Sequence, residues 1–165
     1  TRGSGVVAKL GTDGQVFTST GAGLSQGFEA AAGGGKILQL VVSLTTTQVS
    51  TTSTSFTGSG LTRAITPSDT SSTILAMFSS TSQVGGSVGS VNLYNGSALV
   101  SASAHGLAAL EQSNVNIPIS FVHLDAPATI SEITYEVYYK NDGGSSMYLS
   151  TNDAESTLIL LEIGA

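Results

Sequence analysis

From residue 36 onward, short apolar runs separated by turn residues dominate the chain. KILQLVVSL (36–44) opens the series and is apolar on both faces. TQVST (47–51) is a short, weak strand candidate. FTGSGLTRAIT (56–66) is longer, interrupted by glycine as a bulged strand would be, and is ended by Pro67. STILAMFS (72–79) is strongly apolar. SVGSVNLY (87–94) and SALVSAS (97–103) flank Asn95-Gly96, a pair whose residues accept positive φ and therefore signal a hairpin. VNIPISFVHL (115–124) alternates, with Val115, Ile117, Ile119 and Phe121 on one face and Pro118 on the other. EITYEVYYK (132–140) places Ile133, Tyr135, Val137 and Tyr139 together. Asp142-Gly143-Gly144 turns the chain into SSMYLS (145–150), and TLILLEI (157–163) closes the series. AHGLAALEQ (104–112) is the one helix-like stretch, and with Gly106 inside it allows a single turn. About ten short strands at regular spacing predict an all-β, antiparallel sandwich or barrel.

Two strands break the usual pattern. A strand with one wet face alternates apolar and polar residues, whereas 36–44 and 157–163 do not. In the last strand Leu158 and Leu160 point one way, and Ile159, Leu161 and Ile163 the other. One face belongs to the core; the other needs a second surface. A partner subunit supplies it, so the pattern predicts an oligomer. A shielding loop or the N-terminal segment folding back would do the same.

That N-terminal segment, residues 1–35, has a different texture. Glycine recurs every few residues and apolar residues come singly or in pairs. It buries too little apolar surface to offset its ordering entropy alone. It reads as an extended glycine-rich arm or linker, able to span about 120 Å when fully stretched. Gly33-Gly34-Gly35 marks its boundary with a head domain at 36–165. Thr1 is neither an initiator Met nor part of a signal peptide, so residues upstream are expected to be missing.

Composition narrows the function. Charged residues are 10% of the 165 and the formal net charge is −6. Five Lys plus Arg cannot form the basic stripe that a duplex nucleic acid needs, and an anionic membrane surface is disfavoured for the same reason. No apolar run approaches the ~20 residues of a membrane-spanning helix. Serine and threonine make up roughly a quarter of the chain, which favours strands and loops with hydroxyls facing solvent. With no cysteine there is no disulfide, no thiolate nucleophile and no cysteine zinc site.

The chemical candidates are weak. Gly-Leu-Ser-Gln-Gly (23–27) matches G-x-S-x-G, but a nucleophile elbow around Ser25 needs a strand before it and a helix after it. Phe28-Glu29-Ala30-Ala31-Ala32 runs straight into glycines. Gly34-Gly35-Lys36 lacks the Ser or Thr of a phosphate loop. His123 and Asp125 form a His-x-Asp pair that could hold a metal on a threefold axis, against the simpler reading of a half-buried histidine. His105 reads as exposed. Asn152-Asp153-Ala154-Glu155 is the best local oxygen cluster for Ca²⁺, against a solvated turn. Glu162, among apolar residues, reads as lying at a wet strand end or paired with Lys36 or Lys9. Asn95-Gly96-Ser97 is a glycosylation sequon that the hairpin already explains. No catalytic residue, cofactor or metal is assigned.

GTDGQVFTSTGAG (11–23) resembles the glycine-rich segments of bacteriophage tail-fibre and related virion proteins. KILQLVVS, the stretch from Thr66 to Leu75, SFVHLDAPAT (120–129), ITYEVYY (133–139) and the closing LLEIGA resemble the C-terminal heads of such fibres, which are similar to the jelly-roll trimers of the tumour necrosis factor type. The resemblance implies a homotrimer of ten-stranded jelly rolls whose first and last strands lie side by side in the sheet facing the axis. It also places 132–140 in that sheet, making Tyr135, Val137, Tyr139, Leu158 and Leu160 trimer-interface candidates. If each strand reverses the chain, the loops opposite its entry are Leu44–Thr46, Pro67–Ser72, Asn95–Gly96, Asp125–Ile130 and Thr151–Glu155. Asp69, Asn95, Asp125, Asn152, Asp153 and Glu155 are then the receptor-facing candidates, presented in three copies. The implied role is attachment of a virion to a host surface glycan or protein, with the arm joining other virion proteins. The alternatives are a non-adhesive trimer that decorates and stabilises the particle and, less fitting for this length, an enzyme that degrades polysaccharide.

Overall fold

The computed structural model describes residues 15–18, 27–30 and 36–164. The chain divides into two compact units, residues 1–34 and 35–165. In the first, β1 (Gln15–Thr18) and β2 (Gly27–Ala30) pair antiparallel, with Gln15 opposite Ala30. Ser25 and most of the expected arm lie outside the described residues.

The second unit is all-β. Its strands are β3 (Ile37–Thr45), β4 (Val49–Thr51), β5 (Thr57–Ile65), β6 (Thr73–Val84), β7 (Gly89–Tyr94), β8 (Ala108–Leu110), β9 (Ile117–Asp125), β10 (Ile133–Asn141), β11 (Met147–Leu149) and β12 (Ser156–Ile163). All ladders between them are antiparallel. One sheet has the order β5-β10-β7-β8. In the other, β3 pairs β12, β12 pairs β6, and β6 pairs β9 on its far side. The short β11 lies on β6 beyond β12, and β4 lies on β11. β4 and β11 therefore continue β3 and β12 after a step, and this sheet is four strands wide.

The two sheets share one core, as in a β-sandwich. Leu158, Leu160, Ile74, Phe78, Ile119 and Phe121 come from one sheet, and Leu61, Ile65, Val91, Leu93, Tyr135, Val137 and Tyr139 from the other. Phe78 and Phe121, opposite each other in the β6/β9 ladder, have ring centroids 5.2 Å apart in a tilted arrangement.

Several expectations are corrected. SALVSAS forms no ladder. Asn95 Oδ1 accepts from the Ser97 and Ala98 backbone N–H groups and from the Ser97 hydroxyl, closing the turn, and the chain leaves β7 after Val100 N–H bonds to the Leu93 carbonyl. AHGLAALEQ supplies β8 instead of a helical turn, because Gly106 at φ 64° redirects the chain onto β7. The stretch 132–140 lies in the sheet opposite the first and last strands. The loop assignment by strand parity also fails, since β4 and β11 do not reverse the chain. Thr66–Ser72, Asn95–Gly96 and Asp125–Ile130 therefore lie at the end of the sandwich where the chain enters at Lys36, next to Gly164, whose N–H bonds to the Lys36 carbonyl.

Candidate functional site

Directly opposed residues in neighbouring strands point to the same face, so register builds the outer surface of the β3-β12-β6-β9 sheet row by row. Val42, Ile159, Met77 and Val122 form one row. Leu40, Leu161, Leu75 and Leu124 form the next, and Ile37 and Ile163 extend the patch toward the entry end. On the other side the next row is Leu44, Thr157, Ser79 and Ser120, polar on three of its four strands. Leu40 is 58% exposed, Val122 68% and Leu124 56%, so two apolar rows run across four strands with no described residue over them. None of these outward residues is charged.

β3 turns its apolar residues Leu40, Val42 and Leu44 outward with Gln39, Val41 and Ser43 behind them, whereas β12 is apolar at both parities. Burial of one parity in the core leaves the other to water. At roughly 25 cal/mol per Å² of apolar surface, covering this patch is a substantial driving force, and large bare patches mark contacts with another molecule.

The five interface candidates are not on it. Tyr135, Val137, Leu158 and Leu160 have no exposed surface and Tyr139 is 3% exposed; all five belong to the core of a single chain. On β12 the outward residues are Ile159 and Leu161, and Leu158 and Leu160 face the core. Hydrophobicity alone cannot choose between two apolar parities, but the outward apolar residues of β9 were legible: Val122 and Leu124 break the polar alternation set by Pro118 and Ser120.

The six loop candidates separate into two groups. Asp69, Asn95 and Asp125 lie at the chain-entry end. There Asp125 Oδ2 accepts from the Tyr135 hydroxyl at 2.7 Å and from Asn95 Nδ2 at 3.2 Å. Burial, followed by this hydrogen bond and the carboxylate charge, pushes the Tyr135 phenol well above its ordinary range. Asp69 accepts from the Ser71 backbone N–H and hydroxyl, both at 2.8 Å, which lowers its pKa. Asn152, Asp153 and Glu155 lie instead at the step between β11 and β12, where Asn152 and Asp153 both have φ of 57°.

Glu162 is neither at a wet end nor paired with a cation among the described residues. It is fully buried and accepts from the Ser68 N–H at 2.6 Å and the Ser68 hydroxyl at 3.0 Å. Burial raises its pKa, but the Ser68 N–H outweighs that together with the Ser72 and Ser68 hydroxyls, so the carboxyl lies below its ordinary value. The Ser72 hydroxyl is close enough to contribute but makes no hydrogen bond of normal geometry. His105 is exposed and lies 3.0 Å from Asp142, which also pairs with Lys140. His123 is half-buried on the inward face of β9. Among the described residues no three His, Asp or Glu side chains converge as metal ligands would.

No family model matches the chain, and no curated protein matches it.

Proposed function

We propose that this chain is the C-terminal part of a bacteriophage virion fibre, whose homotrimeric jelly-roll head attaches the particle to a host surface without catalysis. The observation that carries the reading is the uncharged apolar face of the β3-β12-β6-β9 sheet. A chain of net charge −6 repels copies of itself, so a contact between copies is best made through a face that holds no charge. The face is also continuous across strands, as a self-complementary surface needs to be. The order β3-β12-β6-β9 opposite β5-β10-β7-β8 supports the jelly-roll reading. The number three, the virion location and the arm's contact with other virion proteins rest on the resemblance of the sequence to fibre heads.

Sedimentation of the full chain at micromolar concentration tests the assembly, with a trimer expected and a monomer overturning it. Competition of the purified protein with whole phage for host cells tests attachment. One observation favours the second reading, a trimer that decorates and stabilises the particle: Asp69, Asn95 and Asp125 lie at the chain-entry end. A trimer that binds no cells and leaves phage adsorption unchanged would establish that alternative.

A further inference from the structure

The step that splits two strands of one sheet opens a pocket. β3 stops at Thr45 and β4 starts at Val49, while β11 stops at Leu149 and β12 starts at Ser156. Thr45 pairs with Ser156 and Val49 with Leu149, so both interruptions fall at the same level. Ser59–Leu61 of β5 faces the gap, and together these segments line a cavity of about 200 Å³. Its apolar wall is Val49, Leu61 and Leu149, and its polar groups are hydroxyls of Thr45, Thr47, Ser59, Ser150 and Ser156. Among the described residues no charged side chain lines it.

The hydroxyls have a defined direction. Ser80 Oγ donates to the Thr81 carbonyl and accepts from Ser156 Oγ at 2.7 Å and the Ser150 N–H at 3.1 Å. Ser156 has one hydrogen and gives it to Ser80, so the 2.6 Å contact between Ser150 and Ser156 must be donated by Ser150. The chain of hydroxyls therefore runs away from the cavity, and Ser150 Oγ, almost fully buried, ends it as an acceptor. At the mouth the logic reverses. Thr45 Oγ1 accepts from the Thr47 N–H and Ser59 Oγ from the Leu61 N–H, leaving their hydroxyl hydrogens to donate. Beside the pocket, the buried hydroxyls of Ser82 and Thr151 have no partner among the described residues. That is more polar capacity than a sandwich core satisfies by itself. Ser150 also holds φ at 56°, a conformation costing about 1 kcal/mol outside glycine.

We propose that this pocket binds a neutral, hydroxyl-bearing ligand of about one sugar ring. An acceptor at its floor, donors at its mouth and an apolar wall between them suit alternating O–H and C–H groups, and the absence of charge disfavours acidic sugars and cations. The proposal gives the attachment reading a ligand class and rests on that reading for its biological meaning; the binding itself does not.

Amide spectra of the isotopically labelled full chain, titrated with glucose, galactose, mannose and N-acetylglucosamine, test it. At least one neutral sugar should shift the Gly60, Ser150 and Ser156 amides saturably, with a Kd in the millimolar range expected of a single ring, roughly 1–10 mM. Ser150→Ala should weaken that binding about tenfold, the loss of one hydrogen bond. Thr47→Trp, at an exposed position of the mouth, should abolish it while leaving the remaining amides in place. No saturable shift at these amides, equal binding by both variants, or tighter binding of glucuronic acid than of glucose overturns the proposal. If the sugar binds the pocket but does not compete with phage adsorption, the pocket stands and the attachment reading falls. If the chain blocks adsorption with no shift in the pocket, the reverse holds.

Discussion

The two sheets treat their outer faces in opposite ways. On the β5-β10-β7-β8 sheet, Ser90 and Asn92 point away from the core yet are fully buried. The chain itself covers them. Asn92 Nδ2 donates to the Ser101 carbonyl, the Leu107 N–H bonds to the Val91 carbonyl, and the Lys140 ammonium lies 5.0 Å from the Phe56 ring centroid. Tyr94 stacks on Tyr138 at 5.0 Å. On the β3-β12-β6-β9 sheet two outward rows are apolar and no described residue lies over them. A polar outer face can be finished by a local segment that hydrogen-bonds to it. An apolar one is finished only by a comparably large apolar surface, which no described segment of this chain supplies.

The strongest way to break this comparison is to change adjacent residues of one strand. Leu160→Ala empties core volume and should cost about 2–5 kcal/mol in denaturant unfolding. Leu161→Asp, one residue on, should leave far-UV circular dichroism intact but abolish assembly at micromolar concentration, measured by sedimentation. An unchanged sedimentation coefficient for Leu161→Asp would mean the bare face is not a contact surface.

The covered face can be opened in turn. Gly106 has φ 64°, and a Cβ there would collide with the Val91 carbonyl oxygen. Gly106→Ala should push the 95–107 segment off β7, cost about 1–3 kcal/mol and speed hydrogen exchange at the Val100 and Leu107 amides. Gly60→Ala is the control. It also has positive φ, but no atom lies within 4 Å of its added Cβ, so the cost should be only that of the backbone, about 1 kcal/mol.

The sequence made the strands legible wherever one face is polar. In β10, Thr134, Glu136 and Lys140 alternate with Tyr135, Val137 and Tyr139, and the buried set follows from that alone. It was ambiguous where both parities are apolar, as in β12, because the choice of inward face depends on which residues the opposite sheet presents. Direction was lost for a different reason. TQVST and SSMYLS read as strands and are strands, but nothing local distinguishes a strand that turns back from one that steps and continues. That single ambiguity, repeated at two places, moved three loops to the wrong end. The pocket at the step had no sequence signal, since serine and threonine occur throughout and only their convergence is informative.

The smallest expected effect tests how the two sheets are joined at the chain-entry end. Glu162 of β12 holds Ser68 in the connection from β5 to β6, so one carboxylate ties a strand of the bare sheet to the segment arriving from the covered one. Its folded pKa lies below the ordinary 4.5. A depressed carboxyl contributes stability that is complete above the unfolded value and is lost as pH falls through the folded one. The melting temperature of the native chain should therefore hold from pH 7 to about 5 and fall as the pH drops below that ordinary value. Glu162→Gln keeps an acceptor but not the charge, so it should cost about 1–2 kcal/mol at neutral pH, with the gap to the native chain closing as the native carboxyl protonates. Asp69, held down by Ser71 but exposed, should leave a shallow residual slope in the variant. Parallel melting curves for the two proteins from pH 7 to 3 would show that Glu162 carries none of the acid sensitivity and that its hold on Ser68 adds nothing to the joining of the sheets at this end.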